Sequence, residues 1–231
     1  TFLVPLGLLL WFAVSGYNSA LARAEQERVG ARALPELTSL AELLPLHQRA
    51  EYMKLRGLSR GDGLDRAATG IDQAFTRLTA QPAGINRQHL AKAAADWQTL
   101  RKEGPTLTPD DSFARHQTLR GAVQSLFREM ADATGLVLDP EVSSYYLVDT
   151  AVLTMPQTQS TLCDLLISVD RDLIHSSRSD ADLATFTAYS TRLDWTASTA
   201  LMDKVNTALR YDQSVNGDRT GLQRRLTPRL K

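Results

Sequence analysis

Apolar residues spaced three and four apart run through most of the chain, and the spacing predicts helices with no strands. From about Ala20 to Ser59, Leu37, Ala41, Leu44, Leu55 and Leu58 fall on one side, with a pause in the apolar pattern at His47, Gln48 and Arg49. Pro35 and Pro45 each remove a backbone hydrogen bond from that stretch, which leaves its continuous length open. After a turn at Gly61-Asp62-Gly63, a short helix from Leu64 to about Ala80 turns Ile71, Phe75 and Leu78 inward and ends at Gln81-Pro82-Ala83-Gly84. Asn86 caps a second short helix to about Glu103, with Leu90, Ala94, Trp97 and Leu100 or Arg101 near one face.

Thr108-Pro109-Asp110-Asp111 combines a capping hydroxyl, proline at the first helical position and acids in the first turn. The helix it starts runs to about Thr134, with Leu119, Val123, Leu126, Phe127 and Met130 inward, and Gly135 closes it. Asp139 and Pro140 are the cap and first residue of the next. That helix carries a single predicted seam: Tyr145, Val148, Val152, Met155, Leu162, Leu166, Val169 and Leu173. Ser179-Asp180-Ala181-Asp182 starts the last, in which Phe186, Leu193, Ala197, Leu201, Val205 and Leu209 lead to about Tyr211. The expected fold is all-α, an elongated antiparallel helical bundle of four long helices and a short helical pair. It is either one bundle or two stacked modules.

Residues 2 to 18, FLVPLGLLLWFAVSGYN, carry no charge and approach the roughly 20 residues needed to cross a bilayer. The expectation is a truncated transmembrane anchor over 1–18, a periplasmic helical-bundle domain over 19–215, and a basic membrane-proximal tail over 216–231 before a second span. Ala20-Leu21-Ala22 has the small-x-small form of a signal-peptide cleavage site, so a cleaved leader is the other reading of the same stretch. Either one exports the rest of the chain.

Charge narrows the function classes. The 26 Lys plus Arg equal the 26 Asp plus Glu, so no net field favours nucleic acid, and aromatics are too sparse for a base-stacking surface. The single Cys163 permits no internal disulfide and reads as a small buried hydrophobe. No phosphate loop, nucleophile elbow or zinc-protease motif is present, and His47, His89, His116 and His175 share no metal-ligand spacing. No enzyme, cofactor or metal is expected.

Two clusters remain as binding candidates. Arg49, Tyr52, Arg56 and Arg60 lie along one helical face, either as a solvated charged stripe or as guanidinium forks and a phenol presented to an anion. Tyr145 and Tyr146 point about 100° apart, and Asp149 lies one turn from Tyr145, within reach of a hydroxyl. The pair either fills a core or lines a small-ligand cavity.

The run LDPEVSSYYLVDTAVLTMP, with QERVG at 26–30 and LLPLHQRAEYMKLRGLSRGD, resembles the extracytoplasmic helical sensor domains of bacterial methyl-accepting chemotaxis receptors and related sensor histidine kinases. Where that family has Arg-Gly, this chain has Arg49-Ala50. The resemblance implies a periplasmic domain at the bacterial inner membrane, held there by its N-terminal helix. It also implies a homodimer and a small ligand whose binding is passed to a cytoplasmic signalling module. Leucines at 34, 37, 40, 43, 44 and 46 support a second copy through apparent surplus apolar surface. The expected ligand is a small anion, an organic acid, held by Arg49, Tyr52 and Arg56 with Tyr145, Tyr146 and Asp149. A histidine kinase or diguanylate cyclase output, or a secreted or anchored helical interaction protein, is the alternative.

Overall fold

The computed structural model describes residues 3–61, 63–81, 84–136, 142–174 and 180–220. Among them every element is helical and there are six helices. Helix α1 spans Leu3–Leu55, α2 Leu64–Ala80, α3 Arg87–Glu103 and α4 Pro109–Thr134. Helix α5 runs Val142–Asp149, passes through a π-helical turn at Thr150–Thr154 and continues as Met155–Ile174. Helix α6 runs Asp180–Asp194, passes through a second π-helical stretch at Trp195–Leu201 and continues as Met202–Thr220. The expected start at Asp139 and Pro140, the cap at Ser179 and the tail from 221 lie outside the described residues.

The predicted caps form. The Asn86 side chain accepts from the Gln88 amide at 2.8 Å, and the Thr108 hydroxyl accepts from the Asp111 amide at 3.1 Å ahead of Pro109. Gly135 closes α4 at φ 69°, a left-handed conformation that costs glycine nothing.

Helix α1 is one continuous helix of 53 residues, about 80 Å long, so the stretch expected as an anchor and the helix expected from Ala20 join without a break. Pro35 and Pro45 both sit inside it. From Val4 to Leu21 its described large side chains are exposed, whereas Ala33, Leu37, Leu40 and Leu44 are fully buried. No described helix is long and apolar enough to cross a membrane. The uncharged run of α1 is diluted by Ser15, Gly16, Tyr17, Asn18 and Ser19.

The buried stripe of α1 meets α2 and α4, and α3 covers α4. Leu37, Leu40, Leu44, Ile71, Leu78, Trp97, Leu119, Leu126 and Met130 form the centre of one apolar core. Each fully buried aliphatic side chain there contributes roughly 1.5–3 kcal/mol. Of the six leucines expected to leave surplus surface, Leu37, Leu40 and Leu44 are fully buried and Leu34 and Leu43 pack on the same core. Leu46 alone is exposed, so that argument for a second copy does not hold at this stripe. Helices α5 and α6 are antiparallel, the start of each packing on the end of the other. The second half of α5 also packs on α1.

The seam of α5 is displaced from the predicted one. Val152 is buried as expected, but Met155, Leu162 and Leu166 are exposed, and the covered residues are Pro156, Cys163 and Ile167. The shift is one residue at each position. A π-helical turn accommodates one extra residue, so any periodic face read through it comes out of phase afterwards. The turn at Thr150–Thr154 has an evident cause in Pro156, whose ring would strike the carbonyl of Val152 in an undistorted helix. The consequence is chemical: the face turned inward carries Asp164 and Ser168.

Candidate functional site

One turn beyond Leu44, α1 changes from apolar to polar while staying buried. His47, Gln48 and Glu51 are 1%, 0% and 3% exposed, and the α4 residues facing them are Ser112, His116 and Arg120, at four-residue intervals on one side of that helix. The ring nitrogen Nδ1 of His116 lies 2.8 Å from the Ser112 carbonyl. A carbonyl only accepts, so Nδ1 carries the proton and Nε2 presents a lone pair. His47 Nδ1 therefore donates to His116 Nε2 across 2.9 Å. The Ser112 hydroxyl donates to Glu51 Oε2 at 2.9 Å, and that oxygen lies 3.7 Å from His116 Nε2. The His47 ring also packs edge-on to Trp97, with centroids 4.9 Å apart.

Burial dominates the proton affinities here. It pushes His47 down to about 3, with help from His116 and Arg101, and His116 down to about 4, against the opposing backbone hydrogen bond of Ser112. Both rings are neutral at pH 7. Burial raises the Glu51 carboxyl, partly countered by the Ser112 hydroxyl and Lys54.

Beside this group, Arg120 joins α4 to α1 and α5. Its Nη1 donates to Asp164 Oδ1 at 2.6 Å and to the Gln48 side-chain carbonyl, and its Nη2 to the Ser160 carbonyl at 2.7 Å. Cys163 donates its thiol to the Pro45 carbonyl at 3.1 Å, and burial pushes that thiol up to about 12, so it stays protonated and inert.

The polar face leads into a cavity of about 80 Å³ at which four helices meet: Tyr52 of α1, Phe113 of α4, Asp164 and Ser168 of α5, and Thr185 of α6 among its walls. The Tyr52 hydroxyl, the Ser168 hydroxyl and Arg56 Nε are buried with no hydrogen-bond partner among the described residues. Arg56 stacks over the Tyr52 ring at 5.3 Å, and its Nη2 lies 3.7 Å from Asp110. A larger hollow of about 860 Å³ runs past Leu183, Thr187 and Trp195, but α6 alone lines it and it has few polar groups. The small cavity is the better binding candidate.

The expected six-residue site is not assembled. Tyr52 lines the cavity, and Arg56 stacks on its ring. Arg49 is turned away and paired with Asp170 through Nε at 2.8 Å, its side chain 43% exposed. Tyr145 and Tyr146 form an edge-to-face pair at 5.3 Å, with Tyr145 exposed, at the opposite end of α5. The 25 residues from Tyr145 to Asp170 span about 37 Å, far beyond the reach of Arg49. Asp149 pairs with Lys204 of α6, which also donates to Thr154 at 2.9 Å. Arg60 is exposed. The residues that periodicity missed are His47, Glu51, Ser112, His116, Arg120, Asp164 and Ser168. Their signal was the pause at His47, the i,i+4 pair His47 and Glu51, and the Ser112, His116, Arg120 stripe.

Comparison with protein-family models, with curated proteins and with solved structures gives no match. The chemistry of the site therefore carries the functional reading.

Proposed function

We propose that this chain is the extracytoplasmic small-molecule sensing domain of a bacterial transmembrane chemoreceptor, an elongated helical bundle whose ligand is a small anion such as a short organic acid. The observation that carries the proposal is the cavity bounded by four helices, with the buried, unengaged hydroxyls of Tyr52 and Ser168 on its wall and the Arg56 guanidinium stacked on the Tyr52 ring. Two hydroxyl donors beside a guanidinium suit a carboxylate, and about 80 Å³ suits a handful of non-hydrogen atoms. The resemblance of the LDPEVSSYYLVD segment agrees with this reading. So does the form of α1, which runs unbroken from its uncharged N-terminal stretch to the cavity wall and offers a rigid route from ligand to membrane. A ligand moves such an equilibrium only through its different affinity for two helix arrangements. In this reading the domain lies in the periplasm and works as a homodimer. The exposed Leu183 and Trp195 are among the apolar groups of α6 that could meet a second copy.

The test is thermal denaturation against a panel of short mono- and dicarboxylic acids. A true ligand at 100 times its Kd stabilises the domain by about 2.7 kcal/mol. Tyr52→Phe and Ser168→Ala each remove one hydrogen bond, worth about 0.5–1.5 kcal/mol of that binding. Arg49→Ala leaves the shift unchanged, because Arg49 faces Asp170 on the outside. A panel without a stabilising acid, or a shift that survives Tyr52→Phe combined with Ser168→Ala, rejects the assignment.

A further inference from the structure

We infer that His47, Glu51 and His116 form a buried binding site for a divalent transition-metal ion of the zinc type. The three ligand atoms, one from each side chain, all lie within 4.8 Å of one another. A tetrahedral zinc centre with bonds of about 2.0–2.1 Å sets its ligand atoms about 3.3 Å apart. The observed separations of 2.9 Å (His47 Nδ1 to His116 Nε2) and 3.7 Å (His116 Nε2 to Glu51 Oε2) bracket that value. Only small side-chain adjustments separate the present arrangement from a coordinated one.

The surroundings are those a metal-binding His requires. The far nitrogen of His116 donates to the Ser112 carbonyl, which fixes the ring and aims the Nε2 lone pair at the other two ligands. Ser112 also orients the Glu51 carboxylate through its hydroxyl. Gly104 makes room for that carboxylate, since a Cβ there would fall 2.2 Å from Glu51 Oε1. His47 and Glu51 sit one turn apart on α1, and α4 supplies the third ligand. Two histidines and one carboxylate are a donor set that selects zinc-like ions over calcium or magnesium. On binding, the hydrogen between the two rings leaves His47 Nδ1, that ring takes the Nε2–H form, and the metal occupies the space between the nitrogens. The site would cross-brace α1 and α4 within one turn of the Arg120 network, and it is independent of the anion reading.

The whole chain, stripped of metal with a chelator and dialysed, is titrated with Zn2+ against a chromophoric competitor and with Co2+ by visible spectroscopy. The expected result is uptake of one ion per chain, a raised melting temperature with Zn2+, and the intense d–d bands of a low-symmetry Co2+ centre. His47→Gln and His116→Gln each lower affinity by at least about 100-fold, the upper end of what loss of a mere supporting group costs. Glu51→Gln keeps the acceptor for Ser112 and thus the packing, and it too weakens binding if either histidine variant fails to fold. His89→Asn, a change at the surface pair of His89 and Glu129, has no effect. A parent protein without Co2+ bands or a Zn2+ shift overturns the proposal, as does unchanged affinity in folded Glu51→Gln.

Discussion

Helix α1 passes through two buried environments that differ in kind. Between Ala33 and Leu44 it meets α2 and α4 mainly through alkyl groups, with Glu36 and Arg77 as the charged link to α2. Between His47 and Tyr52 it is also enclosed, but His47, Gln48 and Glu51 are held there by hydrogen bonds of fixed geometry, beside the apolar contacts of Tyr52. Apolar burial gains free energy in proportion to area, whereas a buried ion pair recovers little beyond the cost of desolvating its members. The first region accounts for stability. The second gains little from its ion pair, and under the two proposals above its polar enclosed space serves a small charged ligand or a metal ion.

That contrast can be broken most forcefully at Arg120. Arg120→Ala strands Asp164 in the interior and should destabilise by about 3–5 kcal/mol, read from urea unfolding. Leu40→Ala, fully buried in the apolar half, should cost about 2–5 kcal/mol by leaving a cavity. The two effects are similar in size but opposite in logic, since only the first is repaired by removing its partner.

Acid sharpens the contrast further. In the metal-free protein His47 and His116 have folded values of about 3 and about 4, below the ordinary 6.5. As pH falls below 6.5 the unfolded chain therefore takes up protons that the folded one refuses. Stability drops by about 1.4 kcal/mol per pH unit for each histidine down to about pH 4, and neither contributes above 6.5. Glu51 shifts the other way: its folded form takes the proton at higher pH than the unfolded one, which offsets part of the loss. Equilibrium unfolding between pH 7 and 5 should show the slope in the parent and a shallower one in His47→Gln. The smallest effect is expected at Gly104→Ala. Its added methyl group meets the Glu51 carboxylate, costing about 1–3 kcal/mol through crowding, and Glu51→Ala in the same chain should relieve it.

How far the chain could be read in advance depends on the same division. The caps at Asn86 and Thr108, the glycine stop at Gly135 and the core faces of α2 and α4 were legible, because each is set by a few consecutive residues or by an unbroken 3.6-residue period. Of the face predicted for α5, Val148 and Val152 pack on the core while Tyr145 ahead of them is exposed. Beyond Val152 the π-helical turn resets the phase, and Pro156 was the available sign of that reset. The site was largely illegible because it is made of buried polar residues on three helices. Apolar periodicity marks such residues as outward-facing, as it did for Asp164 between Leu162 and Leu166. The nearness of Tyr52 and Arg56 follows from their four-residue spacing, whereas Arg49 and the Tyr145 pair lie on different helices, and no spacing within either helix sets their relative height.

The central claim is that the polar half is retained for binding and not for stability, and the double substitution Arg120→Met with Asp164→Leu tests it most directly. Both charges go together, so neither is stranded, and the replacements keep comparable volume. The midpoint of urea unfolding should return to the parent's value or rise above it, although Arg120→Ala alone falls far below. A double variant as unstable as the single one would contradict the claim, because the Arg120 network, with its bonds to Asp164, Gln48 and Ser160, would then be holding the helices together.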